Sequence, residues 1–160
     1  MAHSAHAPRP ARPARADHAD PPAGAVSAAG TVCPCGGQPA GASYAACCAR
    51  LLEGQATAPD AAALMRSRYT AYTRHDFDYL RRTWHPDHCP ADLGQDPGDA
   101  AVRWLGLTLK RHTPQGEDRA EVEFIARYKI AGRAYRLHEI SRFARIDGRW
   151  LYLDGTVSPP

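Results

Sequence analysis

Tyr135-Arg136-Leu137-His138-Glu139-Ile140-Ser141-Arg142-Phe143 alternates side-chain character residue by residue. Successive side chains of a strand point to opposite faces, so Tyr135, Leu137, Glu139, Ser141 and Phe143 share one side, and Arg136, His138, Ile140 and Arg142 the other. The same period of two runs through the second half of the chain. It predicts strands at Arg103 to His112, Ala120 to Ala131, Arg133 to Ile146 and Trp150 to Thr156. Pro114-Gln115-Gly116, Gly132 and Asp147-Gly148 separate them, and such residues suit tight hairpins. The pattern is an antiparallel meander.

Upstream the period changes. Asp60 can cap a helix from Ala61 to about Arg74, and Asp76 a second from Phe77 to about Trp84, ended by His85-Pro86. The segment from Pro90 to Gly98, rich in Asp, Gly and Pro, reads as a loop, with one helical turn near Ala100. Helices followed by long hairpins make an α+β domain in which a curved sheet wraps the helices.

Further upstream lie Cys33-Pro34-Cys35 and Cys47-Cys48, four of the five cysteines. Gly36 and Gly37 permit the positive-φ turn by which a Cys-x-Cys arm wraps a metal. Ser43 to Leu52 reads as a short helix, with Ser43 as N-cap and Gly54 as stop, so that both thiols of the second arm leave its first turns. Tetrahedral zinc is the favoured reading, against a disulfide pair or buried free cysteines. Nothing signals export, so a reducing, cytoplasmic setting is expected.

Residues 1–32 form an Ala/Pro-rich tail without Leu, Ile, Phe or Trp, expected to be disordered. No apolar run approaches membrane-spanning length. The net charge of +3 leaves no segment with the basic excess of a dedicated nucleic-acid binder.

Cys33-Pro34-Cys35-Gly36-Gly37, Tyr44 and Cys47-Cys48 resemble the SEC-C motif, a small zinc-binding element also found at the C-terminus of the SecA translocation ATPase. Eleven residues separate Cys35 from Cys47, more than is usual for the motif, the surplus falling in Gln38-Pro39-Ala40-Gly41-Ala42. The order of elements resembles the nuclear-transport-factor-2-like cone. Leu64 to Tyr72, Thr83-Trp84-His85-Pro86, Trp104-Leu105-Gly106-Leu107, Ser141-Arg142-Phe143 and Trp150 to Gly155 are similar to the YchJ family of uncharacterised bacterial proteins. The resemblance implies a zinc-binding element at 33–54, with Zn2+ as cofactor, on a cone domain at 58–157. That cone is two to three helices packed on a curved four-stranded antiparallel sheet, and many such domains dimerise through the sheet. It implies no established reaction.

On a helical wheel with Leu64 at zero, Arg68 falls at about 40°, inside the arc of Met65, Tyr69, Ala71 and Tyr72, whereas Arg66 falls at about 200°, toward solvent. A guanidinium cannot become neutral, so on a buried face Arg68 needs a carboxylate. Glu139 is one candidate. Asp154 is the other, placed by strand period on one face with Trp150 and Tyr152. An ion pair of Arg68 with either serves equally as a structural tie or as part of a ligand site. Tyr72, Trp84 and His85 complete the expected pocket. His85 is the acid-base candidate because an imidazole titrates near neutral pH. His85, His88 and Cys89 could ligate a second metal, but the blander reading, a helix end, is favoured.

Three functions follow. The first is a non-enzymatic binding or adaptor protein whose zinc knuckle docks on a protein partner and whose cone holds a small ligand. The second is a cone-type enzyme using His85 with Arg68 and Glu139 or Asp154 on a small polar substrate. Ranked last is a nucleic-acid binder using Arg66, Arg74, Arg81 and Arg82 as one exposed patch. No P-loop, dinucleotide turn, nucleophile elbow or His-Glu-x-x-His is present.

Overall fold

The computed structural model describes residues 30–159. The expected disordered tail falls mostly on residues 1–29, outside that range. Its last residues take part in structure: Val32 bridges Ser43, and the Tyr44 amide donates to the Thr31 carbonyl at 3.1 Å.

Two aspartates start the main helices. The Asp60 carboxylate accepts from the Ala63 amide at 2.7 Å and opens α2 (Ala61–Arg74); Asp76 accepts from Tyr79 at 3.0 Å and opens α3 (Phe77–Arg82). Each satisfies an amide that the first helical turn leaves without a partner. The second helix ends earlier than its apolar pattern suggests, because Trp84 leaves it to bridge Tyr152, with Tyr152 N donating to Thr83 O and His85 N to Tyr152 O. The preceding helix, α1 (Ala49–Leu52), is shorter than the expected Ser43 to Leu52. Ser43 does accept from Ala46 N, but residues 44–48 form turns, and the second pair of thiols precedes the helix.

A 3-10 turn at Pro97–Ala101 leads into the sheet. Strands β1 (Arg103–Pro114), β2 (Arg119–Ile130), β3 (Arg133–Ile146) and β4 (Arg149–Val157) pair antiparallel in chain order. The Ala131-Gly132 and Asp147-Gly148 turns have positive φ at both residues, the backbone that two-residue hairpins require, so Ala131 belongs to a turn and not to β2. Register slips between Arg142 and Phe143, whose partners are Asp154 and Tyr152, so β4 carries an extra residue there. Such a bulge breaks the alternation of faces.

The inner face of the sheet, including Val122, Phe124, Ala126, Leu137, Phe143 and Tyr152, packs on Leu64, Met65, Tyr69 and Leu80 of the helices. On its opposite side α2 meets the cysteine-bearing segment through the fully buried Thr70, while the equally buried Ser67 bonds to Tyr79 of α3. The helix is therefore covered on two faces, and the thiols belong to the same buried cluster as the cone core.

Candidate metal centre and cone cavity

Cys33 and Cys35 reach the centre on a loop closed at both ends. Cys33 N donates to Ala42 O, Gly41 N to Gly36 O and Ala42 N to Pro39 O, all at 2.9 Å. The long spacing between the cysteine pairs is absorbed as a cross-tied loop. Gly37 is required for it: φ is +82°, and a Cβ there would lie 2.4 Å from Ala42 N.

The four sulfurs converge. Cys33–Cys35, Cys35–Cys47, Cys35–Cys48 and Cys47–Cys48 are separated by 3.6, 3.7, 3.7 and 3.8 Å, and all four lie within 4.8 Å of one another. These are not disulfides, whose sulfurs stand about 2.05 Å apart. Sulfurs placed about 2.3 Å from a tetrahedral zinc stand about 3.8 Å from each other, which these thiols match. Cys33, Cys35 and Cys48 are buried and Cys47 is half-buried. Hydrogen bonding from Cys35 and Cys48 holds the Cys33 thiol far below the ordinary thiol range. Its bond with Cys33 pushes Cys35 up to about 11, and the bond with Cys33 raises Cys48 well above the ordinary range. A metal bound by all four sulfurs would displace the thiol protons that otherwise join them.

Outside the thiols stand residues that the sequence reading missed. Thr70 Oγ1 donates to Cys48 Sγ at 3.3 Å and lies 3.7 Å from Cys33 Sγ. Arg66, expected in solvent, instead donates to Cys35 O at 3.2 Å. Arg74 covers the Tyr44 ring at 4.1 Å, and Arg82 donates to Leu52 O. Three of the four arginines proposed as one nucleic-acid patch thereby clamp the thiol-bearing knob to α2 and α3. The fourth, Arg81, pairs with Asp78 at 3.1 Å. A signal existed: Ala63, Ser67 and Thr70 give α2 a small-residue face opposite the aromatic arc, ready for a second packing surface.

On the other side of α2 a cavity of about 120 Å³ opens between helix and sheet. Arg68, Tyr72, Trp84 and Glu139 line it, together with Met65, Tyr69, Trp104, Phe124 and Tyr128. Arg68 is only 2% exposed, yet its expected ion pair does not form. Its Nη1 donates to Leu80 O at 2.9 Å and to Thr83 Oγ1 at 2.8 Å, while its Cζ lies 4.8 Å from the Trp84 ring centre and 4.6 Å from that of Tyr152. Neutral acceptors take Nη1 and two rings flank the cation, where a carboxylate was expected.

Glu139 takes different partners. Its Oε1 accepts from Ser141 Oγ at 2.8 Å and Tyr152 OH at 2.9 Å. Gly155 makes the room, since a Cβ there would lie 2.0 Å from that oxygen. Burial pushes the Glu139 carboxyl above the ordinary range; the two hydroxyls and Arg68 offset this only in part. Burial likewise raises Tyr72 and drives Tyr152 well upward.

Asp154 is absent from the cavity. The β4 bulge turns it to the outer face, where it pairs with Arg142 at 2.6 Å. His85 lies off the lining as well: its Nδ1 accepts from Asp87 N at 3.2 Å, and its ring stacks edge-on against His88 at 5.2 Å. The proton-transfer constellation of His85 with Arg68 and an acid is therefore not assembled. Among the described residues the four cysteines are the one group placed to hold a metal, and His85, His88 and Cys89 form no second one. No helix of the described residues is long and apolar enough to cross a membrane.

A family model described as YchJ, middle NTF2-like domain, matches residues 60–155. The chain belongs to the YchJ family. A UPF0225 protein of Ralstonia nicotianae is 55% identical over 146 residues, covering 86% of this chain and 96% of that one. A UPF0225 protein of Bordetella pertussis is 49% identical over 127 residues, covering 78% and 92%. The solution structure of a SEC-C motif containing protein from Rhodopseudomonas palustris superposes with a TM-score of 0.70 at 34% identity, over 81% of this chain and 100% of that one. A crystal structure of a SEC-C motif containing protein from Psychrobacter arcticus gives 0.67 at 29% identity, over 81% and 84%. This YchJ chain thus combines a cone of helices on a four-stranded sheet with a cysteine cluster compatible with metal binding.

Proposed function

We propose that this chain is a zinc-stapled, non-enzymatic binding protein of the cytoplasm. Zinc joins the Cys33/Cys35 loop to Cys47/Cys48 and locks the resulting knob onto α2, while the cone interior receives a small ligand. The observation that carries the metal reading is the sulfur spacing of 3.6–3.8 Å. Four thiolates complete a tetrahedral zinc and leave no open position, so the metal supplies folding energy and not chemistry. Binding is favoured over catalysis because the cavity holds Arg68 and Glu139 but not the acid-base candidate His85. Free thiols in place of disulfides support a reducing compartment.

Elemental analysis of protein purified without added metal tests the reading. One zinc per chain is expected, falling well below one in Cys47→Ser. Iron, or no metal at all, would refute it.

A further inference from the structure

Arg68 is a buried cation that touches no carboxylate among the described residues. Both protein acceptors of its guanidinium bond to Nη1, leaving the Nε and Nη2 edge without a hydrogen bond among those described. Trp84 and Tyr152, themselves in edge-to-face contact, flank the guanidinium, with its Cζ 4.8 and 4.6 Å from their ring centres. That edge is the two-donor fork which matches a carboxylate. Trp84, a lining residue 4% exposed, also has a buried indole Nε1 with no hydrogen bond. Buried polar groups are nearly always satisfied, so this orphan is a further unmet donor beside Arg68.

Glu139 adds a third group. Both hydroxyls around it donate to Oε1, so in the neutral acid favoured by burial, Oε2 carries a proton available to an acceptor. The rest of the wall is apolar and aromatic, with Met65, Phe124, Trp104 and Tyr128 prominent. The other charged or titratable groups on the lining are His75, Asp92, Asp99 and the tyrosines 69, 72, 128 and 152. The two aspartates have partners of their own.

We propose that the cone cavity binds a small monocarboxylate, its carboxylate taken by Arg68 and its apolar body lying among Met65, Phe124, Trp104 and Tyr128. The volume of about 120 Å³ limits that body to roughly the bulk of a benzene ring or a short alkyl chain. This deepens the binding-protein reading and rests on it, but is independent of which metal the thiols hold.

Calorimetric titration of the full chain with sodium butyrate, sodium benzoate and benzyl alcohol at pH 6 tests it, with metal content measured on the same sample. At least one carboxylate is expected to bind about tenfold more tightly than the alcohol, the advantage of a charge-assisted fork. Binding should move the Trp84 indole N–H resonance. Arg68→Met should reduce carboxylate affinity to that of the alcohol. Should that variant fail to fold, Glu139→Gln decides: its amide donates at any pH, so carboxylate binding is retained and no longer weakens as pH rises. Because burial raises Glu139, wild-type affinity should fall as rising pH ionises it, and the Gln variant should lose that component. Neither carboxylate binding more tightly than benzyl alcohol, no binding of either carboxylate at millimolar concentration, or identical pH profiles for the two proteins would overturn the proposal. A sample with one zinc per chain that binds neither carboxylate overturns it while leaving the metal reading standing.

Discussion

Replacing Thr70 by valine should weaken zinc binding without unfolding the cone. The side chain is fully buried on α2, its hydroxyl 3.3 Å from Cys48 Sγ. Valine preserves the shape and removes that donor. A hydrogen bond to a charged acceptor contributes about 1.5–3 kcal/mol, and each step of about 1.4 kcal/mol is tenfold in a binding constant. The expected loss of zinc affinity is therefore about 10- to 100-fold, the range typical of groups that hydrogen-bond to metal ligands. Competition against a chromophoric zinc chelator measures it, with thermal melts of the metal-free proteins as control and Thr70→Ser as the rescue that keeps the hydroxyl. Affinity of Thr70→Val within threefold of wild type would refute the reasoning. So would an equal loss in Thr70→Ser, since the methyl and not the hydroxyl would then be responsible.

Three further outcomes follow from the cone. Because burial raises the folded Glu139 value above the unfolded one, its contribution to stability is fully present below the ordinary glutamate range. That contribution is lost as pH rises through the raised value. Glu139→Gln should flatten this decline in melts recorded across the acid-to-neutral range, and an unchanged slope would contradict it. Gly155→Ala should destabilise by about 1–3 kcal/mol, measured by urea unfolding, because its Cβ would meet Glu139 Oε1; a neutral result would mean the carboxyl is free to move. His85→Ala should cost under about 1 kcal/mol in the same assay and leave carboxylate binding intact, since only the backbone of His85 ties it to Tyr152.

Much of the fold can be read from local rules, because those rules act over a few residues. Alternation along 133–146 places β3, and the caps at Asp60 and Asp76 place the two longer helices. Burial of Arg68 follows from its helical phase. Its partners do not, because a guanidinium can be satisfied by carbonyls, hydroxyls and ring faces as well as by an acid. Asp154 illustrates another limit: counting by twos along β4 assumes an unbroken strand, and one inserted residue at the bulge sends the side chain to the opposite face. Arg66 and Thr70 lie outside the single amphipathic arc of α2, on a second face that is buried as well.

That double coverage constrains evolution of the gene as well as the fold. Arg68 and Thr70 are two positions apart, so they diverge by about 200° around the axis. A codon inserted or deleted between Arg68 and Thr70 would rotate one part of the helix against the other by about 100° and shift it by about 1.5 Å. Thiol knob and cavity would lose their alignment in a single step. Length variation among related genes should therefore accumulate in segments such as 38–42 and 90–98, while the spacing from Leu64 to Tyr72 stays constant.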